Sequence, residues 1–113
     1  MEPSAYKISV TIPADQKDKM LDEINSSMHQ VYPGYDRVFS ITRTEGTWRS
    51  LEGSNPYNGN TGEITVANEL RIDFAVTAED LKEVILAIRR VHPYEEPAID
   101  IMPMILWKDV IGL

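Results

Sequence analysis

Leu81, Val84, Ile85, Ile88 and Val91 recur at intervals of three and four, and Pro93 stands just beyond them. Such a stripe gives a helix one apolar face, and the residue before a proline is pushed out of the α region. A helix is therefore predicted over roughly 77–91, with Thr77 as N-cap and Asp80 three residues on, a capping-box-like start. The flanking segments have a different period. Tyr6, Ile8, Val10 and Ile12 alternate with polar residues, and Ile64, Val66, Leu70, Ile72, Phe74 and Val76 do so again later. A period of two marks a half-buried strand. Ala67-Asn68 interrupts the second run and predicts a bulge or bend.

The remaining segments complete the order. Pro13 stops the first strand and suits the first turn of a helix. Met20, Leu21, Ile24 and Met28 form a second stripe, so a helix is predicted over roughly 14–30. His29 falls in its last turn, where a cation meets the negative end of the helix dipole. Tyr32-Pro33-Gly34-Tyr35-Asp36 reads as a turn, and residues 37–43, rich in β-branched and aromatic types, as a strand. Residues 98–102 supply the last strand. Two helices with one apolar stripe each must cover one face of an antiparallel sheet. The predicted fold is α+β, a ferredoxin-like βαββαβ sandwich with a four-stranded antiparallel sheet and two helices on one face. Lys7, Ser9, Thr11, Arg71 and Asp73 then fall on the uncovered face, to meet water or a polar interface.

At 113 residues the chain is long enough for one core and too short for two, so residues 1–113 are read as a single domain. Its core spans about 6–102, followed by an apolar tail, 103–113, expected to dock on the domain or on a partner subunit. Eleven Lys and Arg against eighteen Asp and Glu give a net charge of −7. That balance excludes a phosphate-binding nucleic-acid module and disfavours anionic membranes, while leaving cationic ligands open. No window approaches the roughly 20 apolar residues of a membrane span. With no cysteine, disulfides, thiolate metal sites and thiol nucleophiles are excluded together. The first five residues lack the features of a signal peptide, and a cytoplasmic location is the expectation.

Two stretches carry side chains for chemistry. Residues 44–63 hold Gly46, Gly53, Gly59 and Gly62, with Trp48, Leu51 and Tyr57 as anchors. No Lys-Ser/Thr pair and no helix follows, which argues against a phosphate loop. The rings are expected to pack within the protein or against another subunit. The second stretch is His92-Pro93-Tyr94-Glu95-Glu96-Pro97. Imidazole and carboxylates suit a divalent ion, so His92, Glu95 and Glu96 are the candidate metal ligands. The competing reading is structural. His92 can satisfy a carbonyl at a helix C-terminus, while Glu95 and Glu96 diverge if extended and can pair with Arg89, Arg90 or Arg49. Tyr94 is read as a packed ring with a bonded hydroxyl. Ser54 and Thr47 lack a partner for nucleophilic work.

The ending His92-Pro93-Tyr94-Glu95-Glu96-Pro97-Ala98-Ile99-Asp100 resembles the signature of the CutA/PII-like module inserted in the middle of NIF-three-like (YqfO-type) proteins and of its small stand-alone relatives. Residues 46–57, Gly-Thr-Trp-Arg-Ser-Leu-Glu-Gly-Ser-Asn-Pro-Tyr, resemble that module's second motif, with Ser50 where proline is expected. The resemblance covers nearly the whole chain from Tyr6 to Met102. It implies a ferredoxin-like domain that associates, as a CutA-like trimer. It carries over no active site, because the dinuclear metal ligands of the longer proteins lie in flanking domains.

The expected function is a non-catalytic, oligomeric binding or regulatory module. Its ligand residues are Trp48, Arg49, Tyr57 and Tyr94, at subunit clefts where the glycine-rich segment meets the His92 corner. The alternatives are a CutA-like divalent-metal-binding protein and, third, a metal-assisted hydrolase.

Overall fold

In the computed structural model, which describes all 113 residues, the two alternating runs are strands β1 (Ala5–Pro13) and β3 (Ile64–Val76). They pair antiparallel with Ile8 opposite Phe74, Val10 opposite Ile72 and Ile12 opposite Leu70. The apolar members of both strands therefore share one face. Strand β2 (Ser40–Arg49) joins the far side of β3, and β4 (Ile99–Met104) joins β1, giving the order β2-β3-β1-β4. Helices α1 (Lys17–Ser26) and α2 (Leu81–Val91) lie on the apolar face. Met20 and Ile24 from α1 and Val84 and Ile88 from α2 merge with the strand residues into one core cluster. Each such side chain contributes about 1.5–3 kcal/mol on full burial. The fold is the expected ferredoxin-like sandwich.

Several boundaries differ from expectation. The predicted helix over 14–30 is a short 3-10 turn (Ala14–Gln16) followed by α1, which ends at Ser26. Its continuation is diverted by a tertiary partner. The His29 amide donates to Asp80 Oδ2 at 2.7 Å, and its Nδ1 lies 3.0 Å from both Asp80 oxygens. His29 thus answers a carboxylate rather than the helix dipole. Asp80 is also why the capping expectation fails. It occupies the N-cap of α2 itself, and no side-chain bond caps that helix. Thr77 instead opens the preceding turn, its carbonyl accepting the Asp80 amide at 3.1 Å.

Strand β2 starts at Ser40 rather than 37. Arg37 adopts a left-handed φ of 55°, and its amide and guanidinium reach Asn25 and Asp22 of α1 at 2.9 and 2.8 Å. At its other end β2 runs to Arg49, so Thr44–Arg49 belong to a strand and not to a loop. The expected bulge is absent: Glu45 faces Asn68 and Gly46 faces Ala67 in unbroken register. β1 ends opposite Glu69, so residues 64–68 pair with β2 alone. The result is a two-stranded ribbon reaching past the body, which helps stretch the molecule to 53 × 27 × 24 Å.

β4 continues through Pro103 to Met104, tolerated because an edge strand does not need every amide. The tail then forms a third, short helix, α3 (Trp107–Ile111). Its root is fixed by the Leu106 amide donating to Ser4 Oγ at 2.9 Å. Trp107 remains 58% exposed, and Val110, Ile111 and Leu113 are exposed as well, so the tail does not dock on its own domain. No helix is long and apolar enough to cross a membrane.

Candidate functional site

Helix α2 ends at Val91, and His92 turns to an extended conformation as Pro93 requires. The His92 amide still donates to the Ile88 carbonyl at 2.8 Å, while its ring, in a residue only 7% exposed, turns inward. Nε2 donates to the Thr11 carbonyl at 2.8 Å, and Nδ1 accepts the Tyr94 amide at 3.2 Å. A carbonyl demands a donor and an amide an acceptor, so the neutral Nε2–H tautomer follows from the partners. Burial lowers the imidazole below its ordinary value, with the Thr11 carbonyl working against that trend. His92 is a rivet between β1 and the corner.

That rivet sets Tyr94 on the uncovered face of the sheet. Its ring lies 5.5 Å from Trp48, 5.9 Å from Tyr57 and 4.9 Å from His92, centroid to centroid. Its hydroxyl donates to Glu69 Oε2 at 2.6 Å. Burial first, and then the bond to Glu69, holds the phenol well above its usual range. Glu69 belongs to the odd members of β3 and is only 6% exposed. Gly46 on β2 makes that position possible: a Cβ there would collide with Glu69 Oε1. The glycine leaves space for a carboxylate.

Around these groups lies a cleft of about 560 Å³, between the ribbon, the 50–63 loop and the 92–98 corner. Loop and corner are joined where Glu95 Oε1 accepts the Asn55 amide at 3.0 Å. All four expected ligand residues, Trp48, Arg49, Tyr57 and Tyr94, line the cleft, Arg49 from an exposed position. Glu95 and Glu96 line it too, whereas His92 does not. The anticipated arginine pairings take other forms: Arg90 reaches Glu23 at 3.7 Å, and Glu95 takes an amide. Both nitrogens of His92 are engaged, and within one protomer no three His, Asp or Glu side chains group as metal ligands. These residues do not fit a resident metal within the single chain. Glu69 and Thr11 were not singled out from the sequence. The available signal was Gly46 inside a strand, where a glycine often marks close approach by another group.

A second cleft, about 470 Å³, lies between the end of α1 and residues 28–39. Its polar lining is self-satisfied, Asn25 bonding both Asp36 and the Arg37 amide.

No family model matches the chain. It is 30% identical over 110 residues to the GTP cyclohydrolase 1 type 2 homolog of Halalkalibacterium halodurans, covering 97% of this chain and 30% of that protein. The Bacillus subtilis protein of the same name is 26% identical over 98 residues, covering 87% and 26%. Among solved structures, a Bacillus cereus protein related to NIF3 matches with a TM-score of 0.77 at 23% identity, over 92% of this chain and 26% of that one. The chain resembles a module of NIF3-related proteins. CutA from Archaeoglobus fulgidus matches with a TM-score of 0.68 at 16% identity, over 96% of the module and 92% of that chain. GlnK of Bacillus subtilis, in its ATP complex, gives 0.62 at 14%, over 89% and 84%. These likenesses show the CutA/PII-like fold. The module spans about 30% of the first curated relative it matches, whose name describes a longer protein.

Proposed function

We propose that the module is a non-catalytic, oligomeric binding or regulatory domain whose ligand site is the cleft at the His92 corner. One observation carries this reading. Trp48, Tyr57 and Tyr94 stand together, partly exposed, around a cleft of ligand size. Aromatic side chains left half in water at a concave site favour binding over scaffolding.

Binding rather than turnover is supported by how the two best proton-transfer groups are committed. His92 is bound on both nitrogens and held neutral by burial. Tyr94 is bonded to a carboxylate and held protonated. A general base needs a free lone pair within reach of its substrate; both His92 nitrogens are engaged, and the Tyr94 oxygen keeps its proton. Association as a trimer is part of the proposal, supported by the CutA-like fold and by exposed Ile64, Val66 and Trp107.

The two indoles make a convenient test. NMR titration with a fragment set of mixed charge is expected to shift the Trp48 indole signal saturably and leave Trp107 in place. A set in which no fragment moves Trp48 overturns the ligand site. Light scattering at micromolar concentration is expected to give a multiple of the 12.8 kDa chain mass, and a stable monomer overturns the assembly.

A further inference from the structure

The proposed cleft has a definite chemical preference, resting on the reading above and narrowing it. We propose that it takes a cationic organic group, an alkylammonium or methylated ammonium, against the faces of Trp48, Tyr57 and Tyr94 with Glu69 as counter-ion.

The rings supply the first argument. Trp48 and Tyr57 meet Tyr94 at interplanar angles of 54° and 46°, so the three faces are not stacked into one slab. Electron-rich faces set at angles attract a soft cation that fits among them, and Trp and Tyr do so best. The carboxylate supplies the second. Glu69 is 6% exposed and lines the cleft, and its Oε2 is occupied by the Tyr94 hydroxyl. Oε1, lying over Gly46, receives no hydrogen bond from the chain and is open to solvent in the cleft. A buried carboxylate calls for a partner, and nothing within the chain neutralises this one. Charge supplies the third. Glu69, Glu95 and Glu96 line the cleft, while Glu45 and Arg49, opposite Asn68 and Ile64 in β3, direct their side chains to the other face of the ribbon.

Other ligand classes fit less well. An anion such as a nucleotide phosphate meets the carboxylates of Glu69, Glu95 and Glu96. A neutral apolar ligand buries Glu69 Oε1 without a partner. A bare divalent ion prefers several oxygen or nitrogen ligands to aromatic faces, and His92 has no nitrogen to offer. An organic ammonium answers both the ring faces and the carboxylate.

Choline and its neutral isostere 3,3-dimethyl-1-butanol separate charge from shape. The full chain is titrated with each, reading the Trp48 indole. Choline is expected to bind at least about tenfold more tightly, as one desolvated cation–π contact allows. Glu69→Gln keeps an acceptor for the Tyr94 hydroxyl but removes the counter-ion, and is expected to shrink the choline preference at least about threefold, the ring faces keeping the remainder. Gly46→Ala, which forces the carboxylate aside, is expected to act in the same direction. Circular dichroism checks that both variants fold. Free small cations and an N-trimethyllysine side chain share this chemistry. A peptide bearing that residue, titrated in parallel, assigns the source to a side chain if it binds tenfold tighter than choline, and to a free cation otherwise.

Equal binding of choline and the isostere, or a choline preference undiminished in both variants, overturns the proposal. If only neutral or anionic fragments move Trp48, the cation preference falls and the cleft stands. If no fragment moves it, both fall.

Discussion

The hydroxyl–carboxylate bond between Tyr94 and Glu69, at 2.6 Å, has the length of a charge-assisted pair. Tyr94→Phe leaves a buried carboxylate without its donor and is expected to destabilise the module by about 1.5–3 kcal/mol. The measurement is the urea midpoint at unchanged slope, and a loss below about 0.5 kcal/mol means water replaces the hydroxyl. The two histidines link stability to pH with opposite signs. His92 is depressed by burial, so its contribution is full above the ordinary value near 6.5 and is lost as pH falls through that range. His29 is raised, chiefly by its hydrogen bond to Asp80. Its contribution is full below 6.5 and is lost as pH rises through its folded value. Urea melts at pH 5.5 and 8 are expected to show His29→Asn gaining stability with pH and His92→Asn losing it; slopes of the same sign refute the assignment. The helix stop at His92 was legible from Pro93. Its partner, the Thr11 carbonyl, was not, because no local pattern marks a bond across the fold.

Helix α2 shows what periodicity can deliver. Ile88, fully buried in the core cluster, is expected to cost about 2–5 kcal/mol as Ile88→Ala. Leu86→Ala, on the exposed side, is expected to stay within about 0.5 kcal/mol. Thermal and urea unfolding of the pair checks the contrast, and equal losses refute the packing described. The alternation of β1 and β3 was equally legible, because a helix layer buries one side of each. The ribbon was not. Beyond Glu69 no helix covers the sheet, so Asn68 sits in water at a position that is apolar further along the strand. A polar residue there marks the end of the core, whereas the pattern alone predicts a bulge or bend. Gly46, which the sequence groups with the glycine-rich stretch 44–63, belongs to the same ribbon. α1 was overextended because the residue that diverts the chain, Asp80, lies on another helix.

On the scale of the whole molecule, exposed apolar side chains include Ile64 and Val66 on the ribbon and Trp107, Val110, Ile111 and Leu113 on the tail. Trp107 and Ile111 are both mostly exposed, and the sequence left open whether they meet the domain or a partner. Neither side chain packs on its own domain. Trp107→Ser with Ile111→Ser is expected to lower the mass seen by light scattering while leaving far-UV circular dichroism unchanged. An unaltered mass assigns the contact elsewhere. The sheet order has a kinetic consequence too. β1 is an inner strand, yet its partners come from the second half of the chain, and Ala5 faces Met104. The β2–β3 hairpin can close early, since its strands are near neighbours in sequence. β1 has to wait, because its last partner, β4, lies beyond both helices and the other two strands. Such pairings between distant segments slow folding. Until β4 arrives, β1 presents an open edge, and its sheet is three strands wide.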